Sequence, residues 1–258
     1  PLSLNERTAL TYLGAITGIG DDFVDDGTYT SEERERLLRA IFDKNTFSGN
    51  TLKEHYFIST YQNILQLAAF PEQVITHTRE VFSAQELSLK QTDLNTPESE
   101  LYKLTLLKGG WSVLLMRSVL ENTITPEEKD LLYKTGGLMQ YGNDIFDVYS
   151  DIQKGIRTFA TEVEKIDTLR ETFTTLFNET IEAAYKTAFD KSQIRHYLHF
   201  TGLGISRVYV CLKQFEKLQK KNQNIFSPTL YTRKQLICDM EKPINIFSSL
   251  GYYLRQVY

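Results

Sequence analysis

Residues 143–151 read Asn143-Asp144-Ile145-Phe146-Asp147-Val148-Tyr149-Ser150-Asp151, and the understanding of the rest of the chain turns on this stretch. Residues four apart share a helix face, so on a helix Asn143, Asp147 and Asp151 form one stripe of side-chain oxygens. About 120 residues earlier the chain reads Asp21-Asp22-Phe23-Val24-Asp25-Asp26, and the same spacing sets Asp21 or Asp22 beside Asp25. Carboxylates crowded in this way repel one another unless a cation lies between them, and all-oxygen ligands on rigid spacings suit Mg²⁺. Two facing acidic helices therefore predict a site for Mg²⁺ and a diphosphate. Asp21, Asp25, Asn143, Asp147 and Asp151 are the leading ligands, Asp22 is intermediate, and Asp26 and Asp144 read as acids at the edge of each motif or on the surface.

Outward from these motifs the pattern is helical. Ser3 with Glu6, and Thr30 with Glu33, form capping boxes. Leu4, Leu10, Leu13, Ile16 and Ile19 follow the first at helical spacing, and Leu37, Leu38, Ile41 and Phe42 follow the second. The first helix should end near Gly27. Further helices are predicted over 51–69, 71–92, 97–121, 126–153, 162–188, 191–219 and 232–257, with Pro71, Pro97 and Pro126 at helix starts. The best loops are Lys220–Thr229 and Thr46–Asn50. No segment alternates with the period of a strand, so the chain is all-α, a single-domain helical bundle over residues 1–258.

Composition sets the bounds. A chain of 258 residues with 41% hydrophobic content can bury one sizeable core. A net charge of −4 and a pI near 5.7 give no general attraction to nucleic acid or to an anionic membrane, and no basic stripe interrupts that balance. Cys211 and Cys238 lie in apolar patterns and read as packing rather than a disulfide, which fits a reducing cytoplasm. No apolar run approaches the ~18–20 residues of a membrane span, and no signal peptide is read. The chain opens on Pro1 without an initiator Met, so residues ahead of it are allowed for.

With both acidic motifs in order on predicted helices, the chain resembles the class I isoprenoid synthase superfamily, which comprises terpene synthases, trans-prenyltransferases, and squalene and phytoene synthases. Asp21-Asp22-x-x-Asp25 matches the DDxxD motif. Asn143, Asp144, Asp147 and Asp151 match the second metal motif, with Asp151 in place of the usual Glu. Gln140 ahead of Asn143 and Gly155 behind Asp151 extend the similarity to the transferases and squalene-type enzymes. The resemblance implies a helical bundle with a central cavity, and about three Mg²⁺ ions held by Asp21, Asp22, Asp25, Asn143, Asp147 and Asp151. It also implies that Lys108, in a Lys-Gly-Gly similar to the Lys-Thr-Gly of prenyltransferases, meets the substrate diphosphate together with Lys154 and Arg157. Arg207, in Arg207-Val-Tyr209, and Arg117 are looser matches to the arginines of terpene synthases.

Gly27, Thr28 and Tyr29 stand where chain-elongating enzymes carry an Arg pair, which argues against elongation. Gly14 and Gly18 stand where squalene-type enzymes carry Tyr and Arg, which argues against head-to-head condensation. The resemblance therefore implies a terpene synthase that ionises a prenyl diphosphate, with prenyl transfer as the alternative and a non-catalytic isoprenoid-binding or accessory protein as a third reading. The family often forms homodimers. A carbocation must be kept from water, and Phe23, Trp111, Phe146, Tyr209 and Tyr252 are candidate aromatic faces for it, although aromatic residues are by default core. His196 and His199, three apart, lack a third ligand for a transition metal; His55 and His77 read as surface or helix-end residues.

Overall fold

Ser3 Oγ accepts the Glu6 N–H at 3.2 Å while the Glu6 carboxylate accepts the Ser3 N–H at 2.6 Å, and Thr30 with Glu33 repeats the arrangement at 3.2 and 2.8 Å. Each pair satisfies two N–H groups that a helix start would otherwise leave open. The computed structural model describes residues 2–25, 29–42 and 49–257. Among them it is all-helical: α1 (Leu4–Asp25), α2 (Ser31–Phe42), α3 (Leu52–Leu67), α4 (Pro71–Ser88), α5 (Glu98–Ser118), α6 (Pro126–Phe146), α7 (Val148–Lys154), α8 (Phe159–Glu162), α9 (Ile166–Lys186), α10 (Lys191–Lys221), α11 (Arg233–Leu236) and α12 (Pro243–Val257).

The differences from the sequence reading fall where helices break. The stretch 126–153 is two helices that meet at Asp147, and 232–257 is a short helix and a longer one separated by Ile237–Lys242. The helix α8 was not predicted, and α10 runs two residues past the expected 219. Most of the Thr46–Asn50 loop lies outside the described residues.

The chain, read from sequence as one domain, groups into two compact units: Pro1–Leu89 with Trp111–Ile124, and Lys90–Gly110 with Thr125–Tyr258. In the first, α1 packs along α3, and α2 and α4 also contact α3. Leu13, Ile16 and Phe23 of α1 meet Leu37 and Ile41 of α2, Phe57, Tyr61 and Ile64 of α3, and Val74 of α4. Leu13 and Ile16 are buried as the helical spacing predicts, whereas Leu4, at the first turn, is 71% exposed. Phe23 packs edge-on against Phe57 at 5.2 Å, which anchors the acidic end of α1.

The second unit is built on α6, α9 and α10, with α12 laid along α10. Its core joins Leu138, Tyr141 and Ile145 of α6 to Phe173 and Phe177 of α9 and to Val208, Leu212 and Phe215 of α10. Cys211 and Cys238 are both free and buried in this core, in keeping with a packing role. Within the same unit α5 crosses α6 backbone to backbone. A Cβ on Gly136 would run into the Gly109 carbonyl, and one on Gly109 into the Gly136 carbonyl. Only a residue without a side chain permits that approach.

Candidate functional site

The α5–α6 crossing determines which acids of the second motif are buried. Gly136, Gln140 and Asp144 are spaced by four and form the stripe of α6 that faces α5. Asp144 is therefore drawn inside, 6% exposed. Its carboxylate accepts hydrogen bonds from Thr105 Oγ1 of α5 at 2.6 Å and from Gln140 Nε2 at 2.9 Å. Burial pushes its pKa up to about 6, against the pull of those two donors and of Lys108, with Asp147 adding a smaller push upward. The sequence ranks Asp144 as an edge or surface acid; it is the buried acid of the motif, because the register of the helix crossing is invisible in local spacing.

Asn143, Asp147 and Asp151 lie on the neighbouring stripe. Asp147 joins α6 to α7 with φ −92° and ψ 7°, yet the hydrogen bonds on either side keep helical spacing, Asp147 N–H to Asn143 O and Asp151 N–H to Asp147 O, both 2.8 Å. The stripe therefore survives the break. Asn143 Nδ2 donates to Asp147 Oδ2 at 3.0 Å. Asp151 is half-buried, and burial first, then the charges of Asp144 and Asp147, raise its pKa to about 7 while Lys154 and Lys108 pull it down. Lys108, set in an apolar run of α5, thus has carboxylates of the second acidic motif as electrostatic neighbours. Gly155, at φ 67°, closes α7 in the left-handed region.

The other predicted diphosphate ligands part company. Arg157 is a staple: Nη1 donates to Asp93 O at 2.8 Å and Thr96 O at 3.0 Å, and Nε and Nη2 donate to Glu162 at 3.0 and 2.6 Å. Four of its N–H groups are committed to holding the 91–96 segment against α7 and α8. Arg207 is exposed and lines a groove of about 480 Å³ between α6 and α10, where Asn143, Met139, Phe146, Phe200 and Val208 also contribute. The groove is mainly apolar, with an asparagine and an arginine from the predicted site on its wall.

The first acidic motif is organised differently. Asp22 Oδ2 pairs with Lys53 Nζ at 2.7 Å. Asp21 accepts a hydrogen bond from Gln85 of α4, a residue the sequence did not single out. Gln85 is 4% exposed, and its Oε1 is buried without a hydrogen-bond partner among the described residues, so a cation or a water at this end of α1 would satisfy it. Asp25 ends the helix, but its side chain, like all of Asp26, lies outside the described residues.

The residues fit a hard cation in donor type. Oxygen ligands dominate both motifs, and the Asp151 carboxylate accepts no hydrogen bond from the described residues. Among the described residues no three His, Cys, Asp or Glu side chains converge into a cage. A divalent ion held by such a line of ligands would keep water or substrate oxygens in its shell, as Mg²⁺ does.

The candidate aromatic faces are mostly structural. Phe23 and Tyr209 are core, Tyr252 stacks on Tyr209 at 5.5 Å, and Trp111 lies against His77 at 5.8 Å; Phe146 alone of the five lines the groove. His77 is buried rather than at the surface. His199 Nδ1 shares a hydrogen bond with Tyr253 OH at 2.7 Å, and His196 packs edge-on against Phe200. Compared with family models, with curated proteins and with solved structures, the chain finds no match.

Proposed function

We propose that this protein is a class I terpene synthase, a helical enzyme that ionises a linear prenyl diphosphate to an allylic carbocation and releases diphosphate. The observation that carries the reading is the stripe Asn143, Asp147, Asp151, which persists through the helix break beside an apolar groove that Asn143 and Arg207 line. Burial, with neighbouring carboxylates adding to it, raises the Asp144 and Asp151 carboxyls to pKa values of about 6 and 7, a crowding that a bound cation would relieve.

In this reading Asn143, Asp147 and Asp151 hold metal, Asp144 holds Gln140 and Thr105 in place, and Asp21, Asp22 and Asp25 take a metal-binding role on the strength of the sequence resemblance. Bound Mg²⁺ would supply the positive charge that stabilises the departing diphosphate. Lys108 and Lys154 add cationic charge beside the same carboxylates, and Arg207, exposed on the groove wall, would meet an anion there. The apolar wall formed by Met139, Phe146 and Val208 would take the prenyl chain and exclude water from it. Arg157 is left as a structural residue.

A second reading, an isoprenoid-binding protein without turnover, draws on the first motif, where Asp22 is ion-paired to Lys53 and Asp21 is hydrogen-bonded to Gln85. Incubation with geranyl, farnesyl and geranylgeranyl diphosphates, with and without Mg²⁺, separates the two. Mg²⁺-dependent diphosphate release with a terpene hydrocarbon or alcohol is expected. Binding without release supports the second reading, and a longer prenyl product formed only with a co-substrate moves the chain to the transferases.

A further inference from the structure

Helix α12 is apolar on its outer side as well as its inner one. Its inward side stacks Tyr252 on Tyr209 and adds polar pairs: Ser249 Oγ shares a hydrogen bond with Ser206 Oγ of α10 at 2.7 Å, and Tyr253 OH with His199 at 2.7 Å. Its outward side carries Ile244, Phe247, Leu250 and Leu254, exposed by 70, 70, 41 and 57%. These four recur at helical spacing and form one broad face, with Ile246 at its edge. A contiguous apolar face of this kind marks a surface that something covers.

What lies beside it identifies the cover. The contacts Gln214 to Ile237 O, Ser206 to Ser249 and His199 to Tyr253 run α12 antiparallel along α10. The stripe of α10 beneath α12 therefore continues past the start of α12, and there it becomes Lys213, Lys217 and Lys220, with Lys221 next to them, all exposed. Gln214 also bonds Gln235 O at 2.7 Å, which fastens α11 and its exposed Arg233 and Lys234 to the same end. None of these six cations has a carboxylate partner among the described residues; Glu216, between them, is taken by Arg170, and Asp239 is taken by Lys242. Residues 213–242 hold seven Lys and Arg against three Asp and Glu in a chain whose formal charge is −4. The acidic total conceals this local patch, and the sequence reading that no basic stripe interrupts the balance is corrected here.

We infer that the outer face of α12, with the lysine stripe of α10 and the basic turn of α11, docks this unit on an anionic phospholipid surface. Apolar side chains enter the headgroup boundary while flanking cations meet lipid phosphates, the combination that holds a peripheral helix to a bilayer. A second copy of the chain fits less well. A symmetric α12 pairing would set each basic cluster against its mate or against Arg255, with no acid on the outer face to meet it.

The test is flotation of the purified chain with vesicles of phosphatidylcholine alone and of phosphatidylcholine with phosphatidylserine, at low and high salt. Salt-sensitive binding to the anionic vesicles only is expected. Phe247→Gln should lower the partition coefficient at least ten-fold, and Lys213→Gln or Lys217→Gln about five-fold each, with helix content unchanged because all three side chains are exposed. No binding to anionic vesicles, or equal binding to both kinds, overturns the inference. So does a dimer by light scattering that Phe247→Gln dissociates while vesicles bind nothing.

Discussion

The two acidic motifs share a spacing and differ in surroundings. At the end of α1, Asp22 sits 55% exposed against Lys53, where an ion pair contributes little and salt screens it. At the α6–α7 junction, Asp144 is sealed beneath α5 and Asp151 is half-buried beside two other acids, so both carboxyls resist ionisation. Equal spacing therefore does not mean equal chemistry. What sets the second motif apart is the backbone contact between Gly109 and Gly136, which carries Asp144 out of water.

If the contrast is functional, the largest effect belongs to the second motif. Asp151→Ala or Asn143→Ala should lower turnover on the accepted prenyl diphosphate about a thousand-fold, worth about 4 kcal/mol, without loss of thermal stability, whereas Lys53→Met should leave turnover within about ten-fold. Kinetics that ranked Lys53→Met as the more damaging would reverse the comparison.

The next effect is on stability against pH. In the unfolded chain both carboxyls ionise near 3.8, but in the folded metal-free protein they do so near 6 and 7. Between these values the folded state holds protons that the unfolded state has lost, so stability falls as pH rises from about 4 to 7 and levels off above. Asp144 accounts for up to about 3 kcal/mol of the fall. Denaturant titrations of Asp144→Asn should show a flatter pH profile, and added Mg²⁺ should restore stability at pH 7 in the parent protein. A profile that rises over this window would mean that Asp144 is not buried as an acid.

The glycine contact comes third. Gly136→Ala places a Cβ against the backbone of Gly109 and Gly110, which cannot yield as a side chain does, and should cost about 2–3 kcal/mol. A neutral result by thermal unfolding would remove the proposed cause of Asp144 burial. Smallest of all, Asp22→Asn removes one exposed ion pair and should shift stability by less than about 1 kcal/mol; a larger loss would make the first motif as structural as the second.

Local chemistry was legible to the extent that it is local. The helix starts follow from Ser3 with Glu6 and Thr30 with Glu33 because those bonds span three residues. The stripe Asn143, Asp147, Asp151 follows from the turn of a helix and persists through the Asp147 junction. The same spacing could not tell Asp144 from its neighbours, nor reveal that Arg157 holds the chain 64 residues upstream at Asp93 rather than standing ready for a phosphate. Gln85 carried no signal, since a single glutamine becomes notable only when a fold sets it 64 residues away against Asp21.

By itself, then, the sequence determined the all-helical class, the main helix starts and the two acidic stripes, because capping and helical periodicity act over three to seven residues. Tertiary structure decided which carboxyl is buried, which arginine is already committed, and that α12 turns an apolar side outward beside a row of lysines. Burial and charge neighbourhood are sums over elements far apart in the chain, and no local pattern contains them.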